Sequence, residues 1–226
     1  MTYFYNYSYN PYPMKKQSNL LLIFILCTIW CQAQYDNEHF SKLKIAVSGG
    51  YAYRLGKKPS GDQYYKDISQ GPAFTADLTW FWNQKNGAGI HYSYFSTSGT
   101  SNNLGINSNI NIHFIGPVYR VQGISANEKW QAVSGIGLGY MNYTDKGWIN
   151  FGMPGSNTIK GSSIGSLIEV GVDYKIVKGL SAGINLNLYA GYLSRINHNG
   201  SSVKLDPKNK ESLSRIEGVG GIRYSF

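Results

Sequence analysis

The chain has 226 residues, of which 15% are charged and 15% aromatic, with 27 glycines, 19 tyrosines and a formal charge of +9. Tyrosine favours strands and glycine suits turns and tight strand contacts, so this mix disfavours a helical protein. After residue 33 no stretch supplies the roughly 20 consecutive apolar residues of a transmembrane helix, and the scattered Lys and Arg form no concentrated basic stripe of the kind a nucleic-acid interface needs.

In chain order, a Tyr/Asn/Pro-rich extension, Met1 to Pro13, precedes Lys15 and Lys16, the apolar run Leu20 to Trp30, and Cys31-Gln32-Ala33-Gln34. A basic segment, a short apolar core and a small-residue cleavage site, in that order, predict that residues 1–33 hold an N-terminal extension followed by a secretory signal, the true start being Met14, and that the mature domain spans 34–226. Both cysteines, Cys27 and Cys31, fall in the leader. The mature domain then has no disulfide, thiolate metal site or cysteine nucleophile. Losing Lys15 and Lys16 lowers its charge to +7.

Period-2 segments follow. The first sets Leu43, Ile45, Val47, Tyr51 and Tyr53 against Lys44, Ala46, Ser48, Ala52 and Arg54. The second sets Phe74, Ala76, Leu78, Trp80 and Trp82 against Thr75, Asp77 and Thr79; the third, Ile90, Tyr92 and Tyr94 against His91, Ser93 and Phe95. In the fourth, Ile110, Ile112, Phe114 and Val118 oppose Asn109, Asn111 and His113. The fifth opposes Trp130, Ala132, Ile136, Leu138 and Tyr140 to Gly135, Gly137 and Gly139; the sixth, Ile164, Ile168, Val170, Val172 and Tyr174 to Ser163, Glu169, Gly171 and Asp173. The seventh alternates most regularly, from Leu180 to Tyr192, and the eighth sets Ile216, Ile222, Tyr224 and Phe226 against Arg215, Glu217, Arg223 and Ser225.

Long connections (Gly56 to Gln70, Ser98 to Ser108, Thr144 to Lys160, Ser194 to Glu211) alternate with short ones. These features predict an all-β fold: an eight-stranded antiparallel up-and-down transmembrane β-barrel in the bacterial outer membrane, its long loops outside. With odd strands running outward, Tyr51, Tyr53, Tyr92, Tyr94, Tyr140 and Tyr192 form an outer aromatic girdle. Trp80, Trp82, Trp130 and Tyr174, with Tyr224 and Phe226, form a periplasmic one.

Alternation alone does not say which face is inside, because a soluble lipocalin-like carrier has the same pattern reversed. The polar faces carry Lys44, Arg54, Arg215 and Arg223 against Asp77, Glu169, Asp173 and Glu217. Facing lipid, each Arg or Lys would cost about 2–4 kcal/mol at the midplane; facing a narrow lumen, the two signs can pair. His91 and His113 are expected to join this lumen network, which plugs the barrel. Arg120 falls on the lipid face, near a strand end from which it can snorkel.

These residues resemble the small outer-membrane barrels of the OmpX/OmpA-like class over Leu43 to Phe226. The most specific element is the last strand, Gly218 to Phe226, whose Gly221, Ile222, Tyr224 and Phe226 look like the signal read by the barrel-assembly machinery; Val219 departs from it where a polar residue is usual. The segment His113 to Tyr119 and the Ala33-Gln34 cleavage style resemble Bacteroidota-type outer-membrane barrels. Expected partners are therefore outer-membrane lipid, lipopolysaccharide and the assembly machinery. A surface ligand could bind outer-loop residues such as Lys57, Lys58, Tyr64, Tyr65, Lys66, Trp148 and Phe151.

The sequence points to no cofactor, metal site or catalytic residue. His91 and His113 lack an evident third metal ligand. An enzymatic alternative is a lipid A deacylase, which the region Arg195 to Ser202, with Glu211, loosely resembles. A Ser-His-carboxylate set would supply nucleophile, base and orienting acid, but Gly200 stands where that family has its serine.

Overall fold

A computed structural model describes residues 41–56, 63–101, 105–149, 156–198, 201–206 and 210–226. The expected leader, its cleavage site, Lys57, Lys58 and Phe151 lie outside the described residues. Strands β1 (Leu43–Arg54), β2 (Gln70–Phe81), β3 (Asn86–Ser101), β4 (Ile106–Ile124), β5 (Trp130–Ile149), β6 (Ser156–Val177) and β7 (Leu180–Leu193) follow in order. A short hairpin, β8 (Arg195–His198) with β9 (Ser201–Lys204), comes next, then β10 (Glu211–Ser212) and β11 (Arg215–Ser225). Each of β1 to β6 pairs antiparallel with the next, β7 pairs β11 and β11 pairs β1, so eight strands close into a ring. Closure leaves no open sheet edge among them, which is what lets a sheet cross a bilayer.

At one end the connections are tight. Asn83 Oδ1 accepts from the amides of Lys85 and Asn86, and the Lys178–Gly179 turn places Gly179 at a φ of 80°, a left-handed position that costs glycine little. Both barrel termini meet there, the Phe226 amide donating to the Leu43 carbonyl at 2.8 Å. At the other end, two of the expected loops are largely strand: β3–β4 and β5–β6 run on as long hairpins. The expected Ser194–Glu211 loop holds β8 and β9, of which β8 pairs β6. The expected Gly56–Gln70 loop contains α1 (Gln63–Asp67), whose Tyr64 is buried and bonds Ser108 Oγ at 2.8 Å. Tyr64 therefore pins the outer end together and is not a free surface contact.

The period-2 faces follow the predicted parity in seven of the eight strands. β4 is the exception. Ile110, Ile112, Phe114 and Val118 are 0–2% exposed inside the barrel, while Asn109, Asn111 and His113 alternate outward. His113 is thus on the outer wall, not in the lumen network, and Arg120, 5% exposed, is in the lumen, not on lipid. The parity runs unbroken from Ile115↔Tyr140 to Val118↔Gly137, so no bulge causes the difference. The cause is height. Toward the loop end the wall passes out of the hydrocarbon, and there the barrel is apolar inside and polar outside. Lower down, the same parity puts Ile115 and Tyr119 on lipid.

The lumen accordingly has two zones. Toward the loops, Phe95, Ile112, Phe114, Met141, Leu167, Leu193 and Leu213, each 0–1% exposed, form an apolar stopper. Toward the turns the filling is ionic. Small residues make room for both: a Cβ on Gly139 would lie 2.6 Å from the Phe114 ring, and one on Gly135 would lie 2.7 Å from the Glu169 carboxylate.

Candidate functional site

The ionic zone is built from inward positions of all eight strands of the ring. Nearest the turns, Lys44 Nζ meets Asp173 at 3.0 Å and donates to Gln131 Oε1 at 3.2 Å. Arg223 Nε lies 3.0 Å from the same Asp173, and its remaining nitrogens donate to the Gly183 and Gly221 carbonyls and to Asn185 Oδ1, each at 2.7 Å. One carboxylate from β6 thereby reaches across the lumen to the neighbouring strands β1 and β11.

In the middle, Arg120 of β4 bonds Glu169 of β6, and Asp77 and Thr79 of β2. His91 of β3 sits against the same cluster, with Nδ1 2.6 Å from Asp77 Oδ1 and Nε2 2.7 Å from the Tyr189 hydroxyl. Asp77, His91 and Glu169 present atoms within 4.8 Å of one another, a spacing a metal ion could use. The guanidinium of Arg120 lies among them and takes the cation's place. Arg120 supplies the positive charge that the alternation had put on lipid.

Above it, Arg215 Nε donates to Glu217 Oε1 at 2.6 Å and Nη2 to Ser93 Oγ at 2.9 Å, with the guanidinium stacked 4.1 Å above the Tyr189 ring. Ser93 donates in turn to Glu217 at 2.9 Å. Glu217 Oε2, Arg215 Nη1 and the Asn187 amide are buried without a partner among the described residues, which makes this the stretch of the lumen where bound water belongs. At the loop end Arg54 donates to Glu211 at 2.6 Å and to the Ser212 carbonyl at 3.0 Å.

Of the expected lumen residues, the structure brings Lys44, Asp173 and Arg223 into one cluster, Asp77, His91 and Glu169 into a second, and Arg215 with Glu217 into a third. It places Arg54 at the rim and leaves His113 outside. His113 Nδ1 instead meets the Tyr92 hydroxyl at 2.9 Å and its ring lies 4.9 Å from that of Tyr94, so the two histidines do not form a metal pair. The cavity left among Lys44, Asp77, Arg120, Asp173 and Arg223 is about 30 Å³. That is room for a water molecule.

The barrel's outer wall is the reverse of a soluble surface. Ile136, Leu138, Ile164 and Ile184 are each more than 60% exposed, in a belt that also includes Ile45, Val47, Leu78, Ile90, Ile115 and Ile222. Tyr51, Tyr53, Tyr140 and Tyr192 border it toward the loops; Tyr92 and Tyr94, half-buried, stand at the same height. Trp80, Trp82, Trp130, Tyr174, Tyr224 and Phe226 border it toward the turns, joined by Tyr119, whose ring stacks on Trp82 at 6.0 Å. From Tyr140 to Trp130 the strand rises about 34 Å, which at the usual tilt is about 25 Å along the barrel axis, the height of an outer-membrane apolar band. A belt this continuous belongs in hydrocarbon.

No protein-family model and no curated protein matches the sequence. Among solved structures, neisserial surface protein A matches with a TM-score of 0.54 at 11% identity, over 81% of this chain and 97% of that one. A major outer membrane protein from Thermus thermophilus matches with a TM-score of 0.55 at 10% identity, over 83% of this chain and 100% of that one. The chain has the fold of the small outer-membrane barrels. The closed eight-strand ring agrees with the OmpX/OmpA-like resemblance, and the finer Bacteroidota-type resemblance has no matching family model behind it.

In the region that loosely resembles a deacylase, His198 pairs opposite Ser201 in the β8–β9 hairpin. The Glu211 carboxylate is bound to Arg54.

Proposed function

We propose that this chain is an integral, non-conducting barrel of the bacterial outer membrane, anchored in lipid by its apolar belt and presenting its outer hairpins for surface contacts. The observation that carries the first half is the filled lumen: an ion-pair layer centred on Arg120, closed over by the Phe95–Phe114–Leu213 stopper. A soluble carrier would need the belt inside, and the wall instead holds it out. The second half rests on the hairpins, which extend the wall beyond the girdle and are built from Asn, Ser, Lys and Tyr. The outward row Ile222, Tyr224 and Phe226 beside Gly221 supports reading β11 as the assembly signal.

Planar-bilayer recording of the refolded barrel tests the plug. The expected trace is flat, with no stable unitary steps, and wide steps persisting for seconds would establish a pore.

A further inference from the structure

A basic pocket of about 480 Å³ lies between the outer part of β6 and the β8–β9 hairpin. Lys160, Arg195 and Lys204 line it, all exposed, and among the described residues no carboxylate does. The pairing register fixes where it faces. Tyr140 pairs Ile164 and Thr144 pairs Lys160, so Lys160 stands on the outward face of the wall, four residues above Ile164. Lys160 pairs Asn197, Asn197 pairs Ser202 and Arg195 pairs Lys204. Directly opposed residues share a face, and so do residues two apart on one strand. All three cations therefore look outward, over the girdle tyrosines Tyr140 and Tyr192.

Four residues are about 13 Å of strand, roughly 10 Å along the axis after tilt. This height is just beyond the hydrocarbon, in the headgroup layer, and long Lys and Arg side chains reach down into it. We infer that this pocket is a binding site for a phosphorylated lipid headgroup of the outer leaflet, with Lys160, Arg195 and Lys204 holding phosphate and Asn142 and Ser202 donating to sugar or phosphate oxygens. Three cations around one concavity favour a phosphate-bearing group over a neutral one. The outward aim above the belt selects a lipid as its source over a solute. The inference rests on the membrane reading above.

The test is native mass spectrometry of the full folded chain in mild detergent, titrated separately with bisphosphorylated lipid A, its dephosphorylated form, phosphatidylcholine and inorganic phosphate. Bisphosphorylated lipid A is expected to bind in preference to the other three. Affinity is expected to fall about tenfold or more in the K160Q/R195Q/K204Q variant, and to hold in Lys178→Gln, at the turn end. Equal binding by the triple variant, or by the dephosphorylated lipid, would overturn the site. Inorganic phosphate binding as tightly as the lipid would overturn the lipid source. If the triple variant loses its heat-modifiable band, R195Q and K204Q singly, both on the short hairpin, carry the measurement, each expected to weaken binding severalfold. A wild-type chain that never enters a bilayer would refute the membrane reading itself, an outcome separate from weak binding by an inserted barrel.

Discussion

Arg120→Leu is expected to destabilise the barrel by about 3–5 kcal/mol, read as a lowered midpoint of urea unfolding in phospholipid bilayers. The guanidinium, 5% exposed, is bound to Glu169 and Asp77 at once. Removing it strands the buried Glu169 carboxylate and leaves Asp77 with His91 alone, and an unpaired buried charge costs far more than a lost surface pair. The cluster as a whole adds little net stability, because desolvating three ions offsets most of their attraction. The combined variant Arg120→Leu, Asp77→Leu and Glu169→Leu should therefore be more stable than Arg120→Leu alone. A single variant within about 1 kcal/mol of wild type would show that the cluster does not brace the lumen.

Ile136→Arg is expected to cost about 2–4 kcal/mol in the same assay, since Ile136 lies mid-belt, four residues below Tyr140 and six above Trp130. On a soluble barrel, arginine at a position 62% exposed would be neutral or would improve solubility. The two architectures thus predict different outcomes for one substitution. Lys146→Glu, on the outer extension, should fall within about 0.5 kcal/mol of wild type and serves as the comparison.

Much of this was legible in the sequence because lipid and lumen impose opposite demands on alternate residues. Strands such as β7, with Leu186 and Leu188 against Asn185 and Asn187, state their orientation directly. β4 did not, and the reason is physical. Its outer half, Asn109 to Phe114, stands where the wall meets headgroups and water, so the apolar row turns inward to fill the stopper. Period alone reads that row as lipid-facing and carries Arg120 along with it. The cross-strand cluster at Arg120 was also hidden, because Asp77, His91, Arg120 and Glu169 come together only through ring closure and stagger. One signal could have found it. Ile115 and Tyr119 fit the lipid row with the opposite parity, and that conflict within a single strand marks the height at which the surroundings change. The length of the outer hairpins was missed for a different reason. Ser, Asn, Gly and Thr read as loop, yet Ser98 to Thr100 and Ile106 to Asn109 pair regularly above the girdle.

Spin labels give the most direct reading of which face meets lipid. With Cys27 and Cys31 replaced by serine, a label at Ile136→Cys is compared with one at Lys146→Cys in bilayers. The account predicts that the Ile136 label relaxes with oxygen and is shielded from a water-soluble nickel chelate, while the Lys146 label shows the reverse. Free access of nickel to position 136 would contradict a belt buried in hydrocarbon.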